Sequence, residues 1–161
     1  MTRRRLARLA GALGRLLGPR HMPHYDFAYL DQLSPDRLAA VAALPLADLD
    51  VVVLDTETTG LSPRAGDRVV ALAAVRVRRG AVRRDEVFET LVRPGRAIPA
   101  SATRIHGITD AMVASAPGLE DVLPAFVDFA GGGVLAAHDA WFDLAFLEPD
   151  LARLGRPPLA G

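Results

Sequence analysis

The spacing of hydrophobic residues changes several times along the chain, and each change predicts a different element. The opening stretch, MTRRRLARLAGALGRLLGPR, has leucines at helical spacing and arginines around the rest of the wheel, which predicts a short basic amphipathic helix. Proline-rich residues 18–49 follow and contain one small helical stretch with Ser34 as its N-cap. At Asp50 the pattern becomes a continuous run of β-branched residues, typical of a strand covered on both faces. We therefore expect residues 1–49 to form an N-terminal extension and residues 50–161 to form the main domain.

Two more strands are predicted in residues 67–95, joined by a turn near Gly80. A short helix is expected from Thr109, and a longer one before the GGG run. Pro124 lies inside that longer run and is tolerated only near a first turn, so we place the start of this helix late. The stretch VLAAH predicts a fourth strand, and Asp139 is placed to cap a final helix. This order of elements predicts an α/β fold in which helices flank a mixed sheet.

The amino-acid composition limits the size of the fold and the kinds of metal ligand and partner that the chain can have. The chain has 161 residues, half of them apolar, which is enough for one compact domain with its own core. Because there is no cysteine, a metal would be held by oxygen or imidazole ligands. The 19 basic residues balance the 19 acidic ones, so overall charge gives no sign of nucleic-acid binding. Arginines interrupt the leader where a secretory signal would be apolar, and we expect a cytoplasmic protein with no integral membrane segment. The basic leader suits either a partner-packed extension or attachment to a membrane surface or nucleic acid.

Two carboxylates stand at the end of the first predicted strand, in the stretch VVVLDTETTG. Asp55 and Glu57 are two residues apart, so their side chains project from the same face of the strand. Two negative charges at that spacing repel each other, and a bound cation makes the ionised pair favourable. Oxygen ligands suit Mg²⁺ or Mn²⁺, and a pair of such ions supports phosphoryl transfer. Taken alone, such a pair at a strand end is more often a solvated strand edge or a cap than a metal site.

Three stretches together resemble the motifs of the DEDDh 3′→5′ exonucleases: DTETTGL at 55–61, IHGIT at 105–109 and AHDAWFD at 137–143. This family includes the proofreading epsilon subunit of bacterial DNA polymerase III, and the resemblance runs from about Asp50 to the last residue. It implies a ribonuclease-H-like fold, two divalent metal ions, and removal of nucleoside monophosphates from 3′ ends.

The resemblance also implies roles for particular residues. Asp55 would bridge both metals, Glu57 would hold the first, and Asp143 would help to hold the second. Asp143 starts the helix after the fourth strand, where an open sheet gathers ligands, although a helix N-terminus also favours a carboxylate by itself. The residues expected to line the slot for the terminal nucleotide are Thr58, Gly60 and Leu61, with His106 nearby.

The chain departs from the family pattern at several positions. Asp139 stands where the family usually has asparagine, and Ala71 and Ala73 stand where it commonly has an acidic residue and a glycine. The family's third motif, a histidine followed five residues later by an aspartate, has no counterpart before Gly161. The resemblance makes that histidine the general base and that aspartate the fourth metal carboxylate, so the general base of this chain is unknown. We expect a chain truncated before its last strand and helix, with an exposed apolar helix face.

Two hypotheses remain open at this point. One is an exonuclease acting on single-stranded or frayed 3′ ends of DNA, with RNA as an alternative substrate because these motifs do not fix contacts to the 2′-hydroxyl. The other is a non-catalytic module of the same fold that binds nucleic acid or a polymerase. A DNA polymerase subunit as partner is implied by the family resemblance alone. The retained carboxylates favour the exonuclease, because a pure binding module gains nothing from negative charges that face a polyanion.

Overall fold

The computed structural model describes residues 35–159. The predicted amphipathic leader and Ser34 lie outside the described residues, so these two predictions stay untested. The described part of the expected extension forms helix α1 (Pro35–Ala42) and a single 3₁₀ turn (Leu46–Asp48) before the chain enters the sheet. Within the same described range, none of the helices has the length and apolar character needed to cross a membrane.

A four-stranded sheet forms the centre of the fold, in the order β3-β2-β1-β4. Its strands are β1 (Asp50–Thr58), β2 (Val69–Arg78), β3 (Ala81–Leu91) and β4 (Val134–Ala136). β1 pairs antiparallel with β2 and parallel with β4, so the sheet is mixed, as predicted. β2 and β3 form the predicted hairpin, and its two-residue turn is made by Arg79 and Gly80, both with positive φ.

Two helices, α4 (Leu119–Ala130) and α5 (Ala140–Arg153), pack on one face of this sheet. The even-numbered residues of β1 point toward them, and Val52, Leu54 and Phe126 are all 2% exposed or less. The burial of this layer provides most of the apolar contact that holds the helices on the sheet. It also fixes which side of β1 the start of α5 approaches.

Among the described residues, the opposite face is covered only near the end of β1. Helices α2 (Ala100–His106) and α3 (Asp110–Val113) form a second apolar cluster there, against which Ala71 of β2 packs. Farther along this face, Val53 is 39% exposed and Val87 is 50% exposed. The prediction that the first strand is covered on both faces is therefore wrong for residues 35–159. In this part of the chain, apolar side chains are exposed on the sheet face and also on helices α2 and α3, where Ile105 is 85% and Met112 is 50% exposed.

Two of the helix predictions also need correction. Helix α4 begins at Leu119, five residues before Pro124, so the late start that we predicted is wrong. Proline removes one hydrogen bond of the helix, and the burial of the apolar residues on both sides of it outweighs that loss. Helix α2 was not predicted. Helices α3 and α5 begin directly after Thr109 and Asp139, as expected, but neither of those side chains makes a capping hydrogen bond.

Candidate active site

Asp55 and Glu57 lie on the face of β1 that points away from α4 and α5. Asp55 is exposed and Glu57 is half-buried. The residues paired with them on β2 are Ala73 and Ala71, respectively. Both partners are small, and Ala71 also packs against the apolar cluster of α2 and α3. The prediction that both carboxylates share one face is confirmed by the register.

Asp143 approaches the same strand from the other side. It lies in the first turn of α5, is only 4% exposed, and accepts a hydrogen bond of 2.6 Å from the Thr56 hydroxyl to its Oδ1. Thr56 lies between Asp55 and Glu57, so this bond brings the start of α5 to the centre of the motif. Burial raises the pKa of Asp143, the Thr56 hydrogen bond opposes that effect, and the charge of Asp55 raises the pKa further.

The hydrogen bond from Thr56 places Asp143 beside the residue that follows Asp55 in β1. Within residues 35–159, however, no group of three or more potential ligands converges closely enough to hold a metal ion. The reason is geometric, because Asp55 and Glu57 project from one face of β1 whereas Asp143 reaches Thr56 from the other. The donors at Asp55 and Asp143 fit a hard cation, since they are carboxylate oxygens whose repulsion a cation would relieve.

The predicted nucleotide slot corresponds to the start of the loop between β1 and β2. Thr58 is buried, and its hydroxyl donates a 2.6 Å hydrogen bond to the carbonyl oxygen of Gly60. The next residue, Leu61, is 79% exposed. The Thr58 hydroxyl is therefore engaged in a hydrogen bond within the loop, whereas the apolar side chain of Leu61 is exposed on its surface.

His106 ends helix α2, on the same side of the sheet as Glu57. Its Nδ1 accepts a 3.0 Å hydrogen bond from the backbone N–H of Ile108, so the ring hydrogen of the neutral imidazole lies on Nε2. That Nε2 is buried and has no hydrogen-bond partner among the described residues. Helix α2 reaches this position because Ala71, the partner of Glu57 on β2, packs against the α2–α3 cluster. The resemblance placed His106 near the nucleotide slot, and the fold puts it at the same end of the sheet.

The other histidine of the motif stretches lies apart from this arrangement. His138 is exposed in the turn between β4 and α5. Asp139, which replaces the usual asparagine, is also exposed at the N-cap position of α5. Neither position identifies the missing general base.

Sequence reasoning missed an open groove of about 980 Å³ between the β1–β2 loop and helix α5. Leu61 lines the groove from the loop, and Trp141 lines it from the first turn of α5. Its basic lining residues are Arg64, Arg68, Arg153 and Arg156. Arg153 is paired with Asp150. Only the folded chain brings these arginines together, because they belong to two segments that are far apart in the sequence.

The fold and these carboxylates define a ribonuclease-H-like protein, and the comparison with protein families agrees. A family model described as Exonuclease (RNase_T) matches residues 52–160. The chain therefore belongs to the exonuclease family. The matched range includes all three carboxylates and every residue of the predicted nucleotide slot.

Two of the similar bacterial proteins are named as DNA polymerase III proteins. A DNA polymerase III subunit epsilon-like protein of Rhodobacter capsulatus is 51% identical over 132 residues, which is 82% of this chain and 18% of that protein. A PolC-type DNA polymerase III of Caldanaerobacter subterraneus is 41% identical over 106 residues, or 66% of this chain and 7% of that protein. The chain thus spans less than a fifth of the length of these relatives.

The solved structures that are similar to this chain include exonucleases. Exonuclease X in complex with 5′-overhanging duplex DNA is 39% identical, with a TM-score of 0.52 over 60% of this chain and 53% of that one. E. coli exonuclease I in complex with a dT13 oligonucleotide has a TM-score of 0.59 over 70% of this chain and 25% of that one. At 20% identity, the second likeness is one of fold.

Proposed function

We propose that this chain carries a metal-dependent 3′→5′ exonuclease of the proofreading or repair type, which removes nucleoside monophosphates from DNA ends. The observation that carries the proposal is the exonuclease family match over residues 52–160, which contains Asp55, Glu57 and Asp143. The polymerase-associated relatives and the DNA complex of Exonuclease X support DNA as the substrate. RNA remains an alternative substrate, because no described contact selects for or against a 2′-hydroxyl.

Asp55, Glu57 and Asp143 are the residues proposed to hold the metal, with two ions of Mg²⁺ or Mn²⁺ expected. When bound, such ions activate the attacking water and stabilise the leaving oxygen of the phosphodiester. The neighbouring carboxylates of Asp55 and Asp143 support this role, because a cation would offset both the burial of Asp143 and the repulsion between the pair. The Thr56 hydroxyl orients Asp143 through its hydrogen bond.

The substrate is proposed to be a single-stranded or frayed 3′ end. Its terminal nucleotide would lie against Thr58, Gly60 and Leu61, with His106 at the end of helix α2 on the same side of the sheet. The arginine-lined groove beside Leu61 supports the path of the strand, because guanidinium groups bind phosphates well. A polymerase subunit as partner and a cytoplasmic location are part of the same proposal and rest on the named relatives.

A second candidate function is a non-catalytic module that binds the same DNA ends. Two observations favour it. No general base is identified among the described residues, since His138 is exposed and the Nδ1 of His106 is already used as an acceptor. In addition, Asp55, Glu57 and Asp143 do not converge as a group of three within residues 35–159.

The two candidates are separated by the release of mononucleotides from a 3′-labelled single strand, with the full 161-residue chain and Mn²⁺. The exonuclease proposal expects release that falls on the order of a hundredfold in Asp55→Asn, because that change removes a metal ligand. Asp85→Asn, an exposed carboxylate on β3, is the matched control and should retain the wild-type rate.

A folded wild-type chain that binds the strand without releasing nucleotides would support the binding module instead. Release that persists unchanged in Asp55→Asn would show that the assigned carboxylates are not the catalytic site.

A further inference from the structure

The loop between β1 and β2 is closed by a network of hydrogen bonds around Asp67. Its Oδ2 accepts the backbone N–H of Ser62 at 3.0 Å. Its Oδ1 accepts the hydroxyl of Thr59 at 3.2 Å and Nη1 of Arg96 at 3.1 Å. The Asp67 carboxylate thus accepts hydrogen bonds from both ends of the segment 59–62.

Backbone hydrogen bonds reinforce the same closure. The N–H of Thr59 donates to the carbonyl oxygen of Arg68 at 2.8 Å, and the N–H of Arg68 donates back to the Thr59 hydroxyl at 3.0 Å. Asp67 N–H donates to the carbonyl oxygen of Ser62 at 3.1 Å. Arg96 adds a 2.6 Å bond to the carbonyl oxygen of Gly66, which ties the loop to the segment that follows β3.

Gly60 lies directly against this carboxylate. A Cβ atom at position 60 would lie 2.4 Å from Oδ2 of Asp67, far inside any normal contact. The glycine of the DTETTG motif is therefore favoured by lack of space rather than by its φ angle, because any side chain here would displace the Asp67 carboxylate. The Asp67 carboxylate packs directly against the backbone of Gly60, the residue that precedes Leu61.

The consequence of this closure is the position of Leu61. Its side chain is 79% exposed, although leucine gains free energy from burial. The Leu61 side chain stays exposed because Asp67 holds the residues on either side of it, Gly60 and Ser62. A loop of this length without such bonds would be free to turn the leucine inward.

We propose that Asp67 is a positioning residue for the nucleotide slot: it holds Gly60 and Leu61 in the conformation that receives the 3′-terminal nucleotide, without touching the reacting atoms. This inference rests on the proposed function, because Leu61 is assigned to the terminal nucleotide there. Asp67 acts through Leu61, so its effect on binding should disappear when Leu61 is removed.

The test uses the full chain and a single-stranded oligonucleotide with 2-aminopurine as its 3′-terminal base, in Ca²⁺ to limit turnover. Binding is measured by fluorescence for the wild type, Asp67→Ala, Leu61→Ala and the double variant. We expect Asp67→Ala to weaken binding roughly tenfold and to add almost nothing in the Leu61→Ala background, because the two residues are coupled.

Two milder variants keep the test valid if Asp67→Ala unfolds the loop too widely. Asp67→Asn retains an acceptor and should lose less binding than Asp67→Ala, and Arg96→Lys should fall between the wild type and Asp67→Ala. Asp85→Ala serves as the control for loss of a negative charge. Melting curves accompany every variant, because a merely structural role would change stability without the non-additive effect on binding.

The outcomes separate this inference from the proposed function. If the wild type binds the labelled 3′ end but Asp67→Ala binds it equally well, the inference is overturned alone. Equal losses from Asp67→Ala in the presence and absence of Leu61 also overturn it. If the wild type has no preference for a 3′-terminal over an internal 2-aminopurine, the proposed function fails and the inference falls with it.

Discussion

At the scale of single residues, Asp143 combines burial with negative charge. Because its pKa is raised in the folded state, the folded chain binds the proton more tightly than the unfolded chain does. The free energy of unfolding therefore falls as the pH rises from the ordinary aspartate pKa through the raised one. Above the raised pKa and without divalent ions, the ionised carboxylate lowers stability.

The energetic cost of burying this negative charge leads to a prediction for Asp143→Asn. The substitution removes the buried charge and lets the Thr56 hydroxyl keep an acceptor, so we expect a higher Tm than wild type at neutral pH without metal. Added Mn²⁺ should raise the Tm of the wild type and leave that of Asp143→Asn unchanged, because a ligand that binds only the folded state stabilises it. Differential scanning calorimetry measures both effects.

Asp128→Asn, an exposed carboxylate on α4, is the control for Asp143→Asn and should respond to Mn²⁺ as the wild type does. A lower Tm for Asp143→Asn without metal would contradict the argument from burial.

The site was predictable from the sequence at some residues and not at others. Alternation along a strand is a local property, so the shared face of Asp55 and Glu57 followed from their spacing alone. The hydrogen bond between Asp143 and Thr56 joins residues 87 positions apart, and no local pattern encodes that distance. The role of Asp67 was likewise invisible, because it depends on how the loop closes.

At the scale of elements, Arg76 connects the sheet to the end of α4. Its guanidinium donates to Asp50 Oδ2 at 2.7 Å and to the carbonyl oxygens of Phe129 and Ala130. It also lies 5.4 Å from the centre of the Phe129 ring. The side chain is only 11% exposed.

Removal of this connection should destabilise the protein. Arg76→Ala leaves two carbonyl oxygens at the end of α4 without their charged donor, and we expect a loss of roughly 2 kcal/mol in the free energy of unfolding. Arg78→Ala is the matched control on the same strand. Arg78 is 45% exposed and also pairs with Asp50, so its loss should cost about 0.5 kcal/mol or less. Urea denaturation of both variants tests the difference, and equal losses would contradict a special role for Arg76.

The elements themselves were mostly predictable, and the exceptions have physical causes. The hairpin turn at Gly80 and the strand before Asp55 have strong local signals in turn chemistry and β-branched runs. Helix α4 started earlier than Pro124 suggested, because tertiary burial of its apolar residues outweighed one lost hydrogen bond. Helix α2 is a short helix stabilised by packing of Ala102 in the second cluster, and a short helix has little propensity signal of its own.

At the scale of the whole molecule, one face of the sheet carries an apolar row that residues 35–159 leave partly open. Pairing across the sheet lines up Val87, Val75, Val53 and Ala136 in this row. Val53 and Val87 are 39% and 50% exposed, respectively. Apolar patches of this kind promote association, because contact with another surface removes them from water.

We therefore expect the 161-residue chain to associate as its concentration rises, and Val53→Lys with Val87→Lys to reduce that association. Light scattering across a concentration series measures the effect. Ala152→Lys, an exposed position on α5, is the control for added positive charge and should associate like the wild type. Association that persists unchanged in the double variant would place the contact elsewhere on the molecule.

The sequence by itself determined the features that depend on local order: the α/β class, the hairpin, the strand that carries Asp55 and Glu57, and the family to which the motifs belong. The tertiary structure alone decided the burial of Asp143, the closure of the loop by Asp67, the arginine-lined groove and the open sheet face. Periodicity and turn chemistry act between neighbours in the chain and can be read directly. Burial, pKa shifts and grooves depend on segments that meet only after folding, because each is set by atoms distant in sequence and close in space.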